Sequence, residues 1–372
     1  MARPIAIAAG GTGGHLFPAE ALAAELAARG ERIVLFTDAR SAAFDSPAFA
    51  NAERFVLQGA GMAGRNVFKA MKGGALLARG TIAARGHLRR LNAAAVVGFG
   101  GYPAIPPAIA ALSLGGDGRP VLVLHEQNAV LGRANRLLAP RADALALTYA
   151  ETGKVPAGAK PHVVGNPVRP ALAALAGQPY AGAGEGGLRL LVTGGSLGAR
   201  VFADVVPGAI AALPASLRAR LIVTQQCRAE DLERVRAAYA GTGIPVELSP
   251  FFSDMPRRLA TAHLVVARAG ASTLAELACA GRPSLLVPLP SAIDDHQAAN
   301  ARALAAAGAA LVLPQAAMTV SRLTEALADW LLAPQKLAEA ARAAASLARP
   351  QAARDLADLV LALAHRTLQE HR

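Results

Sequence analysis

Residues 4–16 read PIAIAAGGTGGHL and residues 188–200 read LRLLVTGGSLGAR. Each stretch is an apolar run of strand length, a glycine-rich turn, and the opening of an alanine-rich helical pattern. A strand that empties into glycines and then into a helix starts a parallel βαβ unit. Meeting that opening twice, about half a chain apart, predicts an α/β fold that begins again: two Rossmann-like domains with parallel sheets.

The flanking sequence agrees with this reading. Short β-like runs over 4–9, 32–37, 94–98 and 121–124 alternate with helical runs in the first half, the first helix being expected over 18–29. Further runs over 188–193, 221–224, 245–248, 264–267 and 284–287 do the same in the second. The segment 178–187 is turn-rich, and the hinge is placed slightly earlier, at 165–169. The expected domains are therefore 1–167 and 168–345. A chain of 372 residues is long for one core, which favours two. Hydrophobic residues at 53% and charged residues at 17% exclude a disordered chain and suit sheets buried on both faces. With only 4% aromatics, the cores must be built from Ala, Leu and Val.

Two cysteines, Cys227 and Cys279, form no disulfide framework or zinc spacing, which fits a reducing compartment. The N-terminal apolar run is too short for a secretory signal and reads as a strand. The longest uncharged stretch, 91–116, carries Pro103, Pro106 and Pro107 and is a poor membrane-spanning helix. Net charge is +12, and no acidic residue lies between Glu53 and Asp117. That interval holds Arg54, Arg65, Lys69, Lys72, Arg79, Arg85, Arg89 and Arg90, a field that attracts polyanions. Within it, Phe68, Met71, Ala75, Ala78 and Ile82 fall at helical spacing. They form either a core-facing stripe or the apolar side of a basic helix on an anionic membrane.

The candidate chemistry sits at the ends of the apolar runs. The turns Gly10–Gly14 and Gly194–Gly198 offer free backbone N–H groups at helix N-termini, where a phosphate can approach. His15 follows the first turn and is a candidate general base. His125-Glu126-Gln127-Asn128 stands at the end of a strand, where parallel sheets bind ligands. In the second half, Arg268-Ala269-Gly270-Ala271-Ser272-Thr273 opens a helix, with Glu276 one turn in to receive a ribose diol. Gln297 and Asn300 share a face of a later helix. No D-x-D pair or metal-ligand cluster appears, so no cofactor and no tightly held metal are implied. A leaving diphosphate would then be met by helix N-termini and by Arg169 or Arg268.

From the residues alone, this amounts to two halves that bind a nucleotide and an anionic partner. A nucleotide-sugar epimerase or another transferase of this fold would share that much. An NAD-type oxidoreductase is a rival, with Asp38 as its ribose acid, but the first turn lacks the third glycine of that fingerprint. A basic nucleic-acid-binding protein is the non-enzymatic rival, lacking a stacking platform or helix-turn-helix signal.

Taken together in order, GGTGGHLFPA, GFGGYPAIPP, HEQNAVLGRANRLLAP, GNPVRP, TGGSLGAR, RAGASTLAEL and DDHQAAN span residues 10–300. This set closely resembles the UDP-N-acetylglucosamine:N-acetylmuramyl-pentapeptide-pyrophosphoryl-undecaprenol N-acetylglucosaminyltransferases of bacterial peptidoglycan synthesis. The resemblance implies a GT-B fold with two Rossmann-like domains facing across a cleft. It implies inverting transfer of GlcNAc from UDP-GlcNAc to the 4-hydroxyl of MurNAc in lipid I, giving lipid II. Carried over by motif, donor contacts fall on Thr12, Gly13, Gly14, Asn128, Arg169, Ser196, Phe252 (through its backbone), Arg268, Ala271, Ser272, Thr273, Leu274, Ala275, Glu276, Gln297 and Asn300. The acceptor side falls on Gly11, Gly100, Gly101 and Tyr102, with His15 and Glu126 as catalytic candidates. Leu197 stands where the family often has Gln. A C-terminal helix, 346–372, is expected to return to the first domain. The implied partners are UDP-GlcNAc, lipid I and an anionic phospholipid surface at the cytoplasmic face of the inner membrane, with room for other cell-wall synthesis proteins and no role for nucleic acid.

Overall fold

The computed structural model describes residues 3–57, 67–116, 119–182, 187–195 and 198–369; the side chains of 67–72 and 367–369 are outside that description. The chain divides into two compact units, residues 1–170 with 351–372, and residues 171–350. The changeover thus falls at 170 and 350, three and five residues beyond the boundaries expected from the sequence, and it leaves Arg169 with the first unit.

The first unit carries a parallel sheet built from β1 (Ile5–Ala8), β2 (Ile33–Asp38), β3 (Glu53–Leu57), β4 (Ala95–Gly98), β5 (Val121–Glu126), β6 (Ala144–Leu147) and β7 (Pro161–Val163). Their order is β3-β2-β1-β4-β5-β6-β7. Ile5 pairs with Ile33 on one side and Ala95 on the other, so the strand order reverses at β1. Alternation along the strands feeds two cores. Ala6, Ala8, Val34, Val96 and Leu122 face one layer, which includes Ala84, Leu88 and Ala108. Ile5, Ile7, Leu35, Val97 and Val123 face the other, with Leu16, Ala19 and Leu22. The first layer comes from α2 (Val67–Leu91) and α3 (Ile105–Ser113), and the second from α1 (Gly13–Ala28). A short α4 (Arg133–Leu138) follows β5, and α5 (Pro170–Ala173) stands at the changeover.

One expectation is corrected here and one open choice is decided. The first helix begins at Gly13, not at residue 18: Pro18 lies inside α1, whose N-cap is Thr12. Reading proline as a helix start missed that a single lost N–H is tolerated in a helix so firmly packed. On α2, the stripe Ala75, Ala78 and Ile82 is the solvent side, with Ile82 71% exposed, while Gly73, Gly80, Ala84, Leu88 and Leu91 are buried. The helix packs against α3. Phe68, Met71, Lys69 and Lys72 fall on side chains outside the described set.

The second unit repeats the plan with β8 (Leu188–Thr193), β9 (Leu221–Gln226), β10 (Val246–Ser249), β11 (Leu264–Ala267), β12 (Ser284–Leu286) and β13 (Ala310–Val312). Its order, β10-β9-β8-β11-β12-β13, reverses at β8. Helices α6 (Arg200–Ala211), α7 (Ala215–Arg218), α8 (Leu232–Tyr239), α9 (Met255–Thr261), α10 (Ala271–Ala280), α11 (His296–Ala306), α12 (Val320–Leu331) and α13 (Pro334–Ser346) connect and cover it. The last helix, α14 (Ala352–Gln369), packs on α1 of the first unit and buries Leu356, Ala357 and Val360 in that unit's core. Among the described residues, no helix is long and apolar enough to cross a membrane.

Candidate active site

Parallel sheets bind ligands beyond the C-terminal ends of their strands, at the point where strand order reverses. In the first unit that point lies between β1 and β4. The turn after β1 and the turn Phe99–Tyr102 after β4 therefore flank it. Gly11, Gly100 and Gly101 all have positive φ (87°, 78° and 68°), a backbone only glycine adopts without strain. A Cβ at Gly101 would lie 3.2 Å from Nε2 of His15, so this glycine keeps the imidazole edge open.

The polar run at the end of β5 divides in two. His125 and Glu126 belong to the strand itself, not to the loop after it. His125 is fully buried; its Nε2 meets the Gly165 carbonyl at 2.9 Å, and burial pushes its pKa down to about 4. Gln127 connects it outward: its Nε2 is 2.9 Å from His125 Nδ1 and its Oε1 3.1 Å from His15 Nδ1. Glu126 has another task. Oε1 accepts the Asn128 backbone N–H at 3.1 Å and Asn128 Nδ2 at 2.9 Å, and Oε2 accepts the Gly132 N–H at 2.8 Å and Asn135 Nδ2 at 3.0 Å. An ionised carboxylate has about four acceptor positions, and all are used. Glu126 thus holds the 126–135 loop through both of its oxygens.

Asp38, the acid an NAD-type site would need, is also committed. Its Oδ2 takes Nε and Nη2 of Arg40 at 3.0 and 2.9 Å, and its Oδ1 takes the Ser41 N–H at 3.1 Å. Those hydrogen bonds and the Arg40 charge hold its pKa below the usual range despite an opposing desolvation. Ser41 Oγ accepts the Gly11 N–H at 2.8 Å, so this N–H of the first glycine turn is already occupied.

In the second unit, the turn after β8 and the start of α10 flank the reversal. Gly194 has no room for a side chain: a Cβ there would lie 2.3 Å from the Ala199 nitrogen and 2.5 Å from the Gly198 carbonyl carbon. Gly195 and Gly198 have φ of 77° and 67°. Gln226, buried at the end of β9, holds this turn. Its Oε1 accepts Thr193 Oγ1 at 2.8 Å and the Gly194 N–H at 3.2 Å, while Nε2 donates to the carbonyls of Gly195 at 3.0 Å and Pro250 at 3.1 Å. One side chain therefore sets both the glycine turn and the segment after β10. There Phe252 is buried under the Arg258 guanidinium, 3.9 Å from its ring centroid, while the neighbouring Phe251 is 66% exposed. At α10, Gly270 is the N-cap, and Ser272, Thr273, Ala275 and Glu276 lie on the partly exposed side of the helix start. Asp294 and Asp295, just before α11, both have left-handed backbones (φ 54° and 53°), a local strain of about 1–3 kcal/mol each and a frequent mark of functional turns.

Residues 5–147 match the glycosyltransferase family 28 N-terminal domain, and residues 189–359 match the glycosyltransferase family 28 C-terminal domain. The chain belongs to glycosyltransferase family 28. It is 58% identical, over 96% of its length and 93% of the relative's, to the UDP-N-acetylglucosamine--N-acetylmuramyl-(pentapeptide) pyrophosphoryl-undecaprenol N-acetylglucosamine transferase of Granulibacter bethesdensis. To the enzyme of the same name in Acidiphilium cryptum it is 54% identical, over 97% of each chain. Among solved structures, MurG of Acinetobacter baumannii matches with a TM-score of 0.77 at 30% identity, over 96% of this chain and 99% of that one. The calicheamicin glycosyltransferase CalG4, at 17% identity and TM-score 0.65 over 97% and 98% of the chains, shares the fold alone. Two Rossmann-like α/β units in one family 28 chain are the GT-B architecture.

For a family 28 glycosyltransferase, the expected residues fall into two groups. Thr12, Gly13, Gly14, His15, Gly100, Gly101 and Asn128 gather at the β1/β4/β5 strand ends of the first unit. Ala271 to Glu276 open α10 in the second, although Leu274 points into the core. Ser196 and Leu197 lie outside the described residues. Other expected residues are engaged within the fold. Arg268 is buried, with Nη1 3.0 Å from the Val287 carbonyl and Nη2 2.7 Å from Gln315 Oε1, and its guanidinium lies 5.3 Å from the ring centroid of Phe202 in α6. Arg169 lies over the Phe17 ring of α1, 4.5 Å from its centroid, within the first unit. Asn300 is fully buried and donates to the Ala269 carbonyl at 3.2 Å, fixing the α10 turn from behind. Gln297 Oε1 accepts the Leu289 N–H at 3.0 Å, beside the strained aspartates. The hydroxyl of Tyr102 is buried and has no hydrogen-bond partner among the described residues. Sequence reasoning singled out Gln127 only as part of the polar run at the end of β5 and passed over Gln226. Gln226 carried one available signal, a polar amide ending an apolar strand beside the reversal point.

Proposed function

We propose that this chain transfers GlcNAc from UDP-GlcNAc to the 4-hydroxyl of the N-acetylmuramyl residue of undecaprenyl-diphospho-N-acetylmuramyl-pentapeptide, with inversion, releasing UDP and forming lipid II. The observation that carries this reading is the 58% identity, over nearly the full length, to a relative bearing that name. The second unit takes the donor: the α10 start, beside the glycine turn, presents N–H groups to the diphosphate, Glu276 receives the ribose, and the Gln226-held segment with exposed Phe251 receives the base. The first unit takes the acceptor at the Gly11, Gly100, Gly101 and Tyr102 turns. His15 removes the proton from the attacking hydroxyl as the new C–O bond forms, and the bond to UDP breaks with its electron pair leaving on the diphosphate.

The same reading puts the chain against the cytoplasmic face of the inner membrane. On α2, Arg79, Arg85 and Arg89 are exposed together with Ile82, in the interval without acids, while Arg90 pairs with Glu53 at 2.8 Å. Each such cation adds about 1 kcal/mol near an anionic surface. Sedimentation with vesicles containing anionic phospholipid should weaken on Arg85→Glu and with added salt; equal binding to neutral vesicles would refute this placement.

Calorimetric titration tests the donor half. UDP-GlcNAc and UDP should bind competitively, and NAD should not bind. Binding of NAD in place of UDP-GlcNAc would overturn the reading.

A further inference from the structure

His15 can act as a base only through whichever ring nitrogen lacks a proton, and on a neutral imidazole the partner of the other nitrogen decides which that is. We infer that Gln127 and His125 are positioning residues that fix His15 as the Nδ1–H tautomer, leaving the Nε2 lone pair toward Gly101 for the acceptor hydroxyl. This inference rests on the proposed role of His15 as the base.

The direction of the chain of hydrogen bonds follows from its buried end. The Gly165 carbonyl can only accept, so His125 carries its proton on Nε2, 2.9 Å away. Burial keeps that ring neutral, so its Nδ1 is a lone pair. A lone pair 2.9 Å from the Gln127 amide must face the NH2 group. The same nitrogen of Gln127 lies 3.2 Å from the His125 carbonyl oxygen, a second acceptor that forbids the flipped amide. The amide oxygen is thereby turned outward, 3.1 Å from His15 Nδ1, and an amide oxygen can only accept. His15 Nδ1 must then carry the hydrogen. Gln127 is 2% exposed, so water does not compete for the amide. The Nε2 edge of His15 faces Gly101, where the missing side chain leaves space. When the hydroxyl proton arrives at Nε2, the imidazolium that forms still donates from Nδ1 to the Gln127 oxygen, so the ring need not turn during the reaction.

The test uses the full-length protein with 15N-labelled histidine. The ring-nitrogen shifts of His15, assigned by loss of its signals in His15→Ala, should show a protonated Nδ1 and an unprotonated Nε2 near pH 8. A protonated Nε2 in the wild type overturns the inference. In Gln127→Ala, that preference should vanish and kcat should fall about 10- to 100-fold with little change in KM for UDP-GlcNAc. If Gln127→Ala keeps both the tautomer and the turnover while His15→Ala is inactive, the positioning role fails and the base stands. If His15→Ala turns over normally while the wild-type ring is Nδ1–H, the base reading fails and the hydrogen-bond chain stands as structure.

Discussion

Replacing Glu126 by Gln separates a clamp from a catalyst. The side chain keeps its shape, but its NH2 end must face two donors. In the native loop, the four groups directed at the carboxylate all donate: the Asn128 and Gly132 N–H groups and the amide nitrogens of Asn128 and Asn135. An amide oxygen can serve one pair; the other pair then meets N–H groups. Two hydrogen bonds to a buried charge are lost, at about 1.5–3 kcal/mol each, and relaxation of the loop returns part of that. A net destabilisation of about 3 kcal/mol follows. A unit of this size shifts its melting temperature by about 2–4 °C per kcal/mol, so the first-unit transition should fall by about 6–12 °C. Differential scanning calorimetry, with UDP-GlcNAc added to raise the second-unit transition apart from it, would read this. UDP-GlcNAc affinity should stay near wild type. A variant that melts within about 1 °C of wild type yet loses turnover 100-fold would refute the clamp and return Glu126 to the chemistry.

Two further outcomes follow from the same geometry. His125 is held neutral, its pKa dropping from 6.5 in the unfolded chain to about 4 in the fold, so its contribution is fully present above pH 6.5 and is lost as pH falls toward 4. About 3 kcal/mol of first-unit stability should go over that range, and His125→Gln should flatten the slope in pH-dependent denaturation; an unchanged slope would count against a buried neutral ring. In the second unit, Gly194→Ala should cut UDP-GlcNAc affinity at least about 10-fold, because its Cβ would meet the turn's own backbone at 2.3 Å. Gly14→Ala, whose nearest neighbour would be Thr12 Oγ1 at 3.6 Å, should fold normally; equal affinity in both variants would show that the second glycine turn does not hold the donor.

The sequence disclosed what depends on local pattern. Strand runs, glycine turns and the restart at 188 are periodic or compositional signals, and the observed β8 and β11 coincide with the expected 188–193 and 264–267. What it missed depends on partners far along the chain. That Glu126 is fully occupied rests on Gly132 and Asn135, and that Arg268 turns inward rests on Val287 and Gln315; no spacing rule carries those. For α2, spacing left a core-facing stripe and an exposed apolar side both open, and only the fold shows that Gly73, Gly80, Ala84, Leu88 and Leu91 form the buried side. The strands β3, β7 and β13 were passed over because each is short or mixed in polarity and lies at a sheet edge, where burial no longer enforces an apolar run; β6, buried and apolar but only four residues long, gave too short a signal.

The central claim is tested most directly by incubating the purified chain with labelled UDP-GlcNAc and a short-chain lipid I analogue, with no added NAD. The account predicts a β-1,4-linked disaccharide lipid together with one UDP per sugar transferred. Binding of UDP-GlcNAc without transfer would contradict the acceptor, and neither binding nor transfer would contradict the transferase itself.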